Sequence, residues 1–262
     1  MQKALARVST RQLRALAQGA RDQIALRYGE RLRVYGWAPL GCDSSRVECA
    51  RTAELETRLG QSGRVDSAPT VWLTAFVPLG LCLLWSWRLG TGTADERVHL
   101  RPMLTLLPTQ SLIVADAADM GYELARAVLG AQRHWLWRLA SRVDLYTPTQ
   151  AALDCWEEGL IYYWPQYVQQ QGPPPVAAPH LDQPAREAKR DVWLLTSVLD
   201  AAQLSRETAA LFYRCCWRNE GLFRTCKRTV RKVKFSSRTV ALVHREAEVS
   251  LLALQVLLAH AD

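Results

Sequence analysis

Between Asp66 and Arg88 the chain carries no charge, and Ser67 to Trp87 is long enough to cross a bilayer as one helix. The middle of the stretch argues against that helix. Pro78, Leu79 and Gly80 interrupt it, and the flanking runs Val71–Val77 and Leu81–Trp87 each have the length of a strand. The stretch therefore predicts two buried β-strands joined by a tight turn, and no membrane partner. A signal peptide is not expected either, because Met1 to Arg7 contains no apolar run.

The remaining texture alternates. Thr10 to Arg33 has helical periodicity with a basic polar face, and Val34 to Leu89 is a strand-and-turn region punctuated by glycine and proline. Glu96–Leu107 reads as a helix, Ser111–Ala115 as a short buried strand, Tyr122–Ala131 as a helix and His134–Leu139 as a strand. Residues 141–190 lack periodicity and include the run Gln169–Pro175, so they are read as an insertion with an exposed linker. Val192–Val198 is then a strand, Ser205 an N-cap for a helix running to about Arg228, and Val240–Ala261 an amphipathic helix. This order predicts an α/β fold. Its parts are a helical segment (1–33), a first part of the core (34–140), the insertion (141–190), and a last strand with two helices (191–262).

At 262 residues, with 49% apolar and 22% charged side chains, the chain has globular composition, which excludes a disordered, collagen-like or coiled-coil protein. Thirty-three Lys and Arg against 25 Asp and Glu leave a net charge of +8, which favours a polyanionic partner such as nucleic acid. The seven cysteines form no C-x-x-C pair and accompany no zinc-type His spacing, so they are read as reduced thiols in a cytoplasm.

Chemistry concentrates on the helix after Ser205. Tyr213, Cys216, Glu220 and Lys227 are spaced so that, at roughly 100° per residue, all four fall within an arc of about 60°. The face thus shows a hydroxyl, a thiol, a carboxylate and an amine, with Phe212 and Phe223 beside it. Taken by itself, such a face is more often a solvated helix surface than a site.

Further residues turn the balance. The run Tyr213-Arg-Cys-Cys216-Trp-Arg-Asn-Glu220-Gly-Leu-Phe-Arg-Thr-Cys-Lys227 resembles the Y-R-E-K signature of DDE-type insertion-sequence transposases, with Cys216 at the arginine position. Leu112-Ile-Val-Ala-Asp116, followed by Gly121-Tyr122, resembles the segment carrying that family's second catalytic aspartate, and Gly41-Cys-Asp43-Ser44 its first. Arg88 to Leu100 looks like the family's Gly-rich turn into a Glu-headed helix, and Val192–Thr196 like its last core strand. Asp119 competes with Asp116 as the second aspartate, and the apolar strand ahead of Asp116 favours the latter.

The resemblance implies a ribonuclease-H-like mixed sheet flanked by helices, with the insertion before the catalytic helix. It implies a DNA transposase that cleaves transposon ends and transfers strands into target DNA, or a decayed one that binds DNA without cleaving it. Asp43, Asp116 and Glu220 become the carboxylate triad for two Mg²⁺ or Mn²⁺ ions, since hard cations take oxygen ligands. Tyr213 and Lys227 become DNA contacts. Trp193 is a candidate to touch a displaced base, and the basic residues Arg231, Lys232 and Lys234 continue a phosphate track. Double-stranded DNA is the expected partner, with a homodimer in the synaptic complex and a nucleoid-associated location in the cytoplasm.

The signature is incomplete. A thiol at 216 cannot replace a guanidinium aimed at phosphate, and Arg214 and Arg218 point about 100° or more away from that face. Gly36 and Pro39 also interrupt what should be the first central strand, where proline is poorly tolerated.

Overall fold

Several helix starts are set by side-chain caps. In the computed structural model, which describes residues 2–61, 66–81, 83–117, 121–139, 143, 145–147, 149, 151–152, 159–163, 177–183, 192–216 and 234–260, a short helix α1 (Gln2–Arg7) is followed by α2 (Thr10–Tyr28). Ser9 and Gln12 close a reciprocal capping box at the start of α2, which satisfies two backbone donors that the first turn leaves open. The helix stops at Tyr28, short of the expected Arg33, with Gly29 at its C-cap.

The described residues fall into two compact units. One is drawn from Met1–Leu32, Asp43–Met103 and Arg218–Asp262, the other from Arg33–Cys42 and Leu104–Trp217. Strand β1 (Ala38–Cys49) contributes its first residues to the second unit and the rest, from Asp43, to the first.

In the first unit β1 is followed by α3 (Ala53–Leu59) and the antiparallel hairpin β2 (Thr70–Pro78) and β3 (Ser86–Thr91), in the order β3-β2-β1. The hairpin expected from the uncharged stretch is present, but its second strand begins at Ser86 rather than Leu81. Leu83, Leu84 and Trp85 are buried ahead of the paired run, with the Trp85 N–H donating to the Phe76 carbonyl at 2.9 Å. Their apolarity answers a helix instead: Leu84 packs with Leu251 and Leu254 in one cluster, and its backbone N–H donates to the Gln255 side-chain oxygen at 2.7 Å. Among the described residues no helix is long and apolar enough to cross a membrane.

Helix α4 (Glu96–Met103) is shorter than expected because Pro102, which has no N–H, lies in its last turn, and the chain tightens into a 3₁₀ turn at Leu104–Leu106. Helix α3 was hidden inside the strand-and-turn region.

The second unit contains the start of β1, then β4 (Ser111–Ala115), α5 (Tyr122–Gly130), β5 (His134–Arg138), β6 (Leu145–Tyr146), β7 (Gly159–Tyr163), β8 (Ala177–Gln183), β9 (Val192–Thr196) and α6 (Arg206–Cys216). Its sheet runs β1-β4-β5-β9-β8-β7-β6, parallel from β1 to β5 and antiparallel beyond. Three short strands, β6 to β8, thus lie within 141–190 and extend the sheet beyond β9. Pro39 is tolerated because it is only the second residue of β1, paired with Leu112, while Gly36 takes φ +80° in the turn before the strand. Trp135 and Trp137, both fully buried on β5, stack at 4.6 Å between centroids in the core of this unit.

In the first unit, β10 (Lys234–Phe235) pairs in parallel with the end of β1, and α7 (Val240–Ala259) closes the chain behind its Thr239 N-cap. The strand expected at Leu81–Trp87 apart, every element predicted over described residues is present, with ends shifted by a few residues.

Candidate active site

Asp116 stands at the point where β4 gives way to a turn, and its side chain is half exposed (50%). One oxygen, Oδ1, gathers three donors. The Ala117 backbone N–H lies at 2.8 Å, the Tyr213 hydroxyl at 3.4 Å and the Arg138 Nη1 at 3.5 Å. Tyr213 reaches Asp116 because α6 packs over β4 and β5, with Ala209, Ala210 and Phe212 buried on the same helix. Burial first, and the neighbouring Asp116 carboxylate second, push the Tyr213 hydroxyl well above the ordinary tyrosine range, against the opposing pull of Arg138. Tyr213 is therefore a neutral hydrogen-bond donor at any physiological pH.

The next turn of α6 places Cys216 against β4. Its thiol donates to the Val114 carbonyl at 3.3 Å, so position 216 faces the backbone two residues ahead of Asp116. Tyr213 and Cys216 share one face of α6, as the spacing predicted, and that face is directed at the end of β4. Glu220 and Lys227, with Arg231 and Lys232, lie outside the described residues, as does Asp119.

Asp43 lies in the first unit on β1, where its Oδ1 accepts the Ser44 backbone N–H at 2.7 Å. Behind it runs a buried polar chain. The Ser44 hydroxyl donates to Thr74 Oγ1 at 3.0 Å, and Thr74, fully buried on β2, meets His99 Nδ1 of α4 at 3.1 Å. Gly90 is required beside this chain, since a Cβ there would overlap the His99 ring. The chain fixes the backbone next to Asp43 with donors and acceptors that would be costly to leave unpaired in the core.

Of the other expected DNA contacts, Trp193 is half-buried on β9, where its carbonyl accepts the Leu139 N–H at 2.8 Å. Lys234 is exposed on β10 opposite Glu48. Among the described residues no group of three or more His, Cys, Asp or Glu could hold a metal ion. The donor chemistry of the expected ligands nevertheless suits Mg²⁺ or Mn²⁺: Asp116 offers a carboxylate already half in solvent, whose entry into a coordination shell needs no deep desolvation.

Sequence reasoning missed Arg138. The parallel register pairs Ala115 with Trp137, so Asp116 and Arg138 are the next residues of two neighbouring strands. The signal was an arginine closing the apolar strand His134–Leu139 at the same end of the sheet as Asp116. Using it required the register, which is a non-local fact.

The sequence matches the family described as "Transposase DDE domain" over residues 73–256, a span that includes Asp116 and Glu220 and leaves Asp43 outside. No curated protein matches it by sequence. Among solved structures it is similar to one described as "Cryo-EM structure of piggyBac transposase synaptic complex with hairpin DNA", with a TM-score of 0.52 at 10% identity. The similarity covers 86% of this chain and 47% of the other, so the chain spans about half the length of that transposase. At this identity the likeness is one of fold, and the fold is the ribonuclease-H-like α/β arrangement that the motifs implied.

Proposed function

The chain belongs to the family of transposase DDE domains, and from that premise we propose that it is a metal-dependent DNA transposase. It cleaves the phosphodiester bond at transposon ends and transfers the freed 3′ ends into target DNA. Asp43, Asp116 and Glu220 hold two Mg²⁺ or Mn²⁺ ions, which when bound lower the pKa of the attacking hydroxyl and offset charge on the leaving oxygen.

One register carries this reading. Gly41 and Val114 are matched on the parallel strands β1 and β4, and Asp43 and Asp116 each follow their strand's matched residue by two positions. This equal offset along the ladder is the observation that supports reading both aspartates as ligands. The third, Glu220, stands seven residues after Tyr213 in the sequence, a helical spacing of about two turns, and Tyr213 donates to Asp116.

The remaining roles follow from side-chain chemistry. Tyr213 orients the Asp116 carboxylate through its hydroxyl, keeping one oxygen turned to α6. Lys227 and the basic residues Arg231, Lys232 and Lys234 bind DNA phosphates, and Trp193 offers a ring for a displaced base. The DNA-bound unit is a homodimer acting on both ends of the element.

A second reading is favoured by a specific observation: Cys216 presents a thiol to a backbone carbonyl where the signature has an arginine. A decayed transposase that still binds DNA ends would show this. Nicking of the element's own terminal sequence in Mg²⁺ or Mn²⁺ separates the two, comparing wild type with Glu220→Gln and Cys216→Arg. Nicking by wild type that disappears in Glu220→Gln supports the enzyme. Nicking only by Cys216→Arg supports decay at that one position, and binding without nicking by all three removes the catalytic reading.

A further inference from the structure

Arg138 is the described arginine of the second unit whose side chain lies against a proposed metal ligand. Its Nη1 is 3.5 Å from Asp116 Oδ1, and the guanidinium also lies against the Tyr213 hydroxyl. Other arginines of the unit are committed elsewhere. Arg33 is bonded to Gln110 and Thr109, and Arg133 donates to the carbonyls of Leu107, Ala131 and Gln132. We propose that Arg138 supplies the phosphate-binding guanidinium that position 216 has lost, approaching the scissile phosphate from β5 instead of from α6.

The geometry supports the transfer in three ways. Position 216 points at Val114 on β4, two residues before Asp116, so a guanidinium extended from there would enter the neighbourhood of Asp116 that Arg138 occupies. Arg138 itself is partly exposed (43%), and a guanidinium has five donors in a planar fork, of which the 3.5 Å contact with Asp116 engages one nitrogen. A contact of that length at a half-exposed site is weakly held, so the side chain can turn from Asp116 to a substrate phosphate. The interaction with Asp116 is thus the resting arrangement of a substrate-binding side chain.

This inference rests on the transposase reading of the site, and the test separates the two. Affinity for a duplex of the element's terminal sequence, nicked at the cleavage position, is measured in Ca²⁺ for wild type, Arg138→Gln, Cys216→Arg and the double variant. Nicking is followed in Mn²⁺ with the same four proteins, and unfolding temperature reports folding. The expected result is an affinity loss of roughly tenfold or more in Arg138→Gln, as for removal of one charge-assisted phosphate contact. Cys216→Arg should restore binding in the double variant and add little to wild type. Unchanged binding in Arg138→Gln overturns the inference, as does a loss that Cys216→Arg fails to restore in a double variant that melts like wild type. Should wild type bind the end without nicking it, the catalytic reading fails while the affinity series still decides the role of Arg138. Absence of end binding by a folded wild type overturns both.

Discussion

Glu246 offers the sharpest test of how the C-terminal helix holds the first unit together. It is 2% exposed on α7, yet it is a carboxylate, and its two oxygens are both engaged. Oε1 accepts the Ser236 backbone N–H and hydroxyl, each at 3.3 Å, and Oε2 accepts the backbone N–H of fully buried Ser237 at 2.9 Å. These residues follow β10, which pairs with Glu48 and Cys49 on the strand that carries Asp43. Glu246→Ala strands the buried Ser237 N–H, worth about 1–3 kcal/mol when unpaired in the interior, and leaves a cavity where the side chain was, while the exposed Ser236 can turn to water. The expected cost is therefore about 2–4 kcal/mol, a substantial part of the roughly 5–15 kcal/mol that a domain has. Glu246→Gln keeps one oxygen but turns an amide donor toward a donor, and should cost about 1–3 kcal/mol. Urea unfolding with unchanged slope checks both values. A change within about 0.5 kcal/mol for the alanine variant, or equal losses for alanine and glutamine, would refute the reasoning, since surface-like behaviour is inconsistent with a carboxylate that caps buried backbone.

Two further outcomes are expected. Tyr213→Phe removes the hydroxyl that donates to Asp116 and should lower end nicking about tenfold while changing unfolding free energy by only about 1 kcal/mol, read from single-turnover rates and urea titration. Glu248 is held above the ordinary carboxylate range chiefly by burial, with the Trp87 indole N–H at 2.6 Å opposing the shift. The folded chain keeps a proton there that the unfolded chain releases, so stability falls as pH rises from about 4.5 through the raised value. Glu248→Gln should melt above wild type at pH 7, with the difference shrinking toward pH 4.5 in thermal scans across that range.

What the sequence made legible was local. Ser111–Ala115 reads as a strand because four apolar residues, Leu112 to Ala115, follow a turn, and β4 has those bounds. The uncharged stretch before Arg88 announced a hairpin because Pro78 and Gly80 rule out a helix, but it could not separate residues apolar for strand pairing from those apolar for contact with α7. Leu84 is of the second kind, which shifted the strand start to Ser86. Helix α3 was missed although its signals are present: Thr52 caps it through the Leu55 N–H, Glu54 and Glu56 sit in its first turn, and Leu55 and Leu59 are buried one turn apart. Seven residues were too few to outweigh the surrounding glycines and prolines. At the site, helical spacing put Tyr213 and Cys216 on one face because it is a local rule, but the contact of Tyr213 with Asp116 depends on how α6 packs over β4 and was not legible. The buried chain from Ser44 through Thr74 to His99 joins three separate elements, and no spacing in the sequence encodes it.

The incomplete signature shows why a motif is a proxy for a charge requirement. A strand-transfer site needs a permanent cation near the phosphate, and spacing along one helix is only one way to deliver it. Position 216 meets a carbonyl of β4 through a thiol, which brings no charge to the neighbourhood of Asp116. The same neighbourhood is reached from β5, because parallel pairing of Ala115 with Trp137 brings the following residues, Asp116 and Arg138, to the same end of adjacent strands. On the proposed reading, the cation absent from position 216 is supplied by the arginine that closes β5. On that argument Arg138 and Cys216 are coupled positions: substitution at either should change the consequence of substitution at the other, and an effect of each that is independent of the other's identity would mean the cation requirement is met elsewhere.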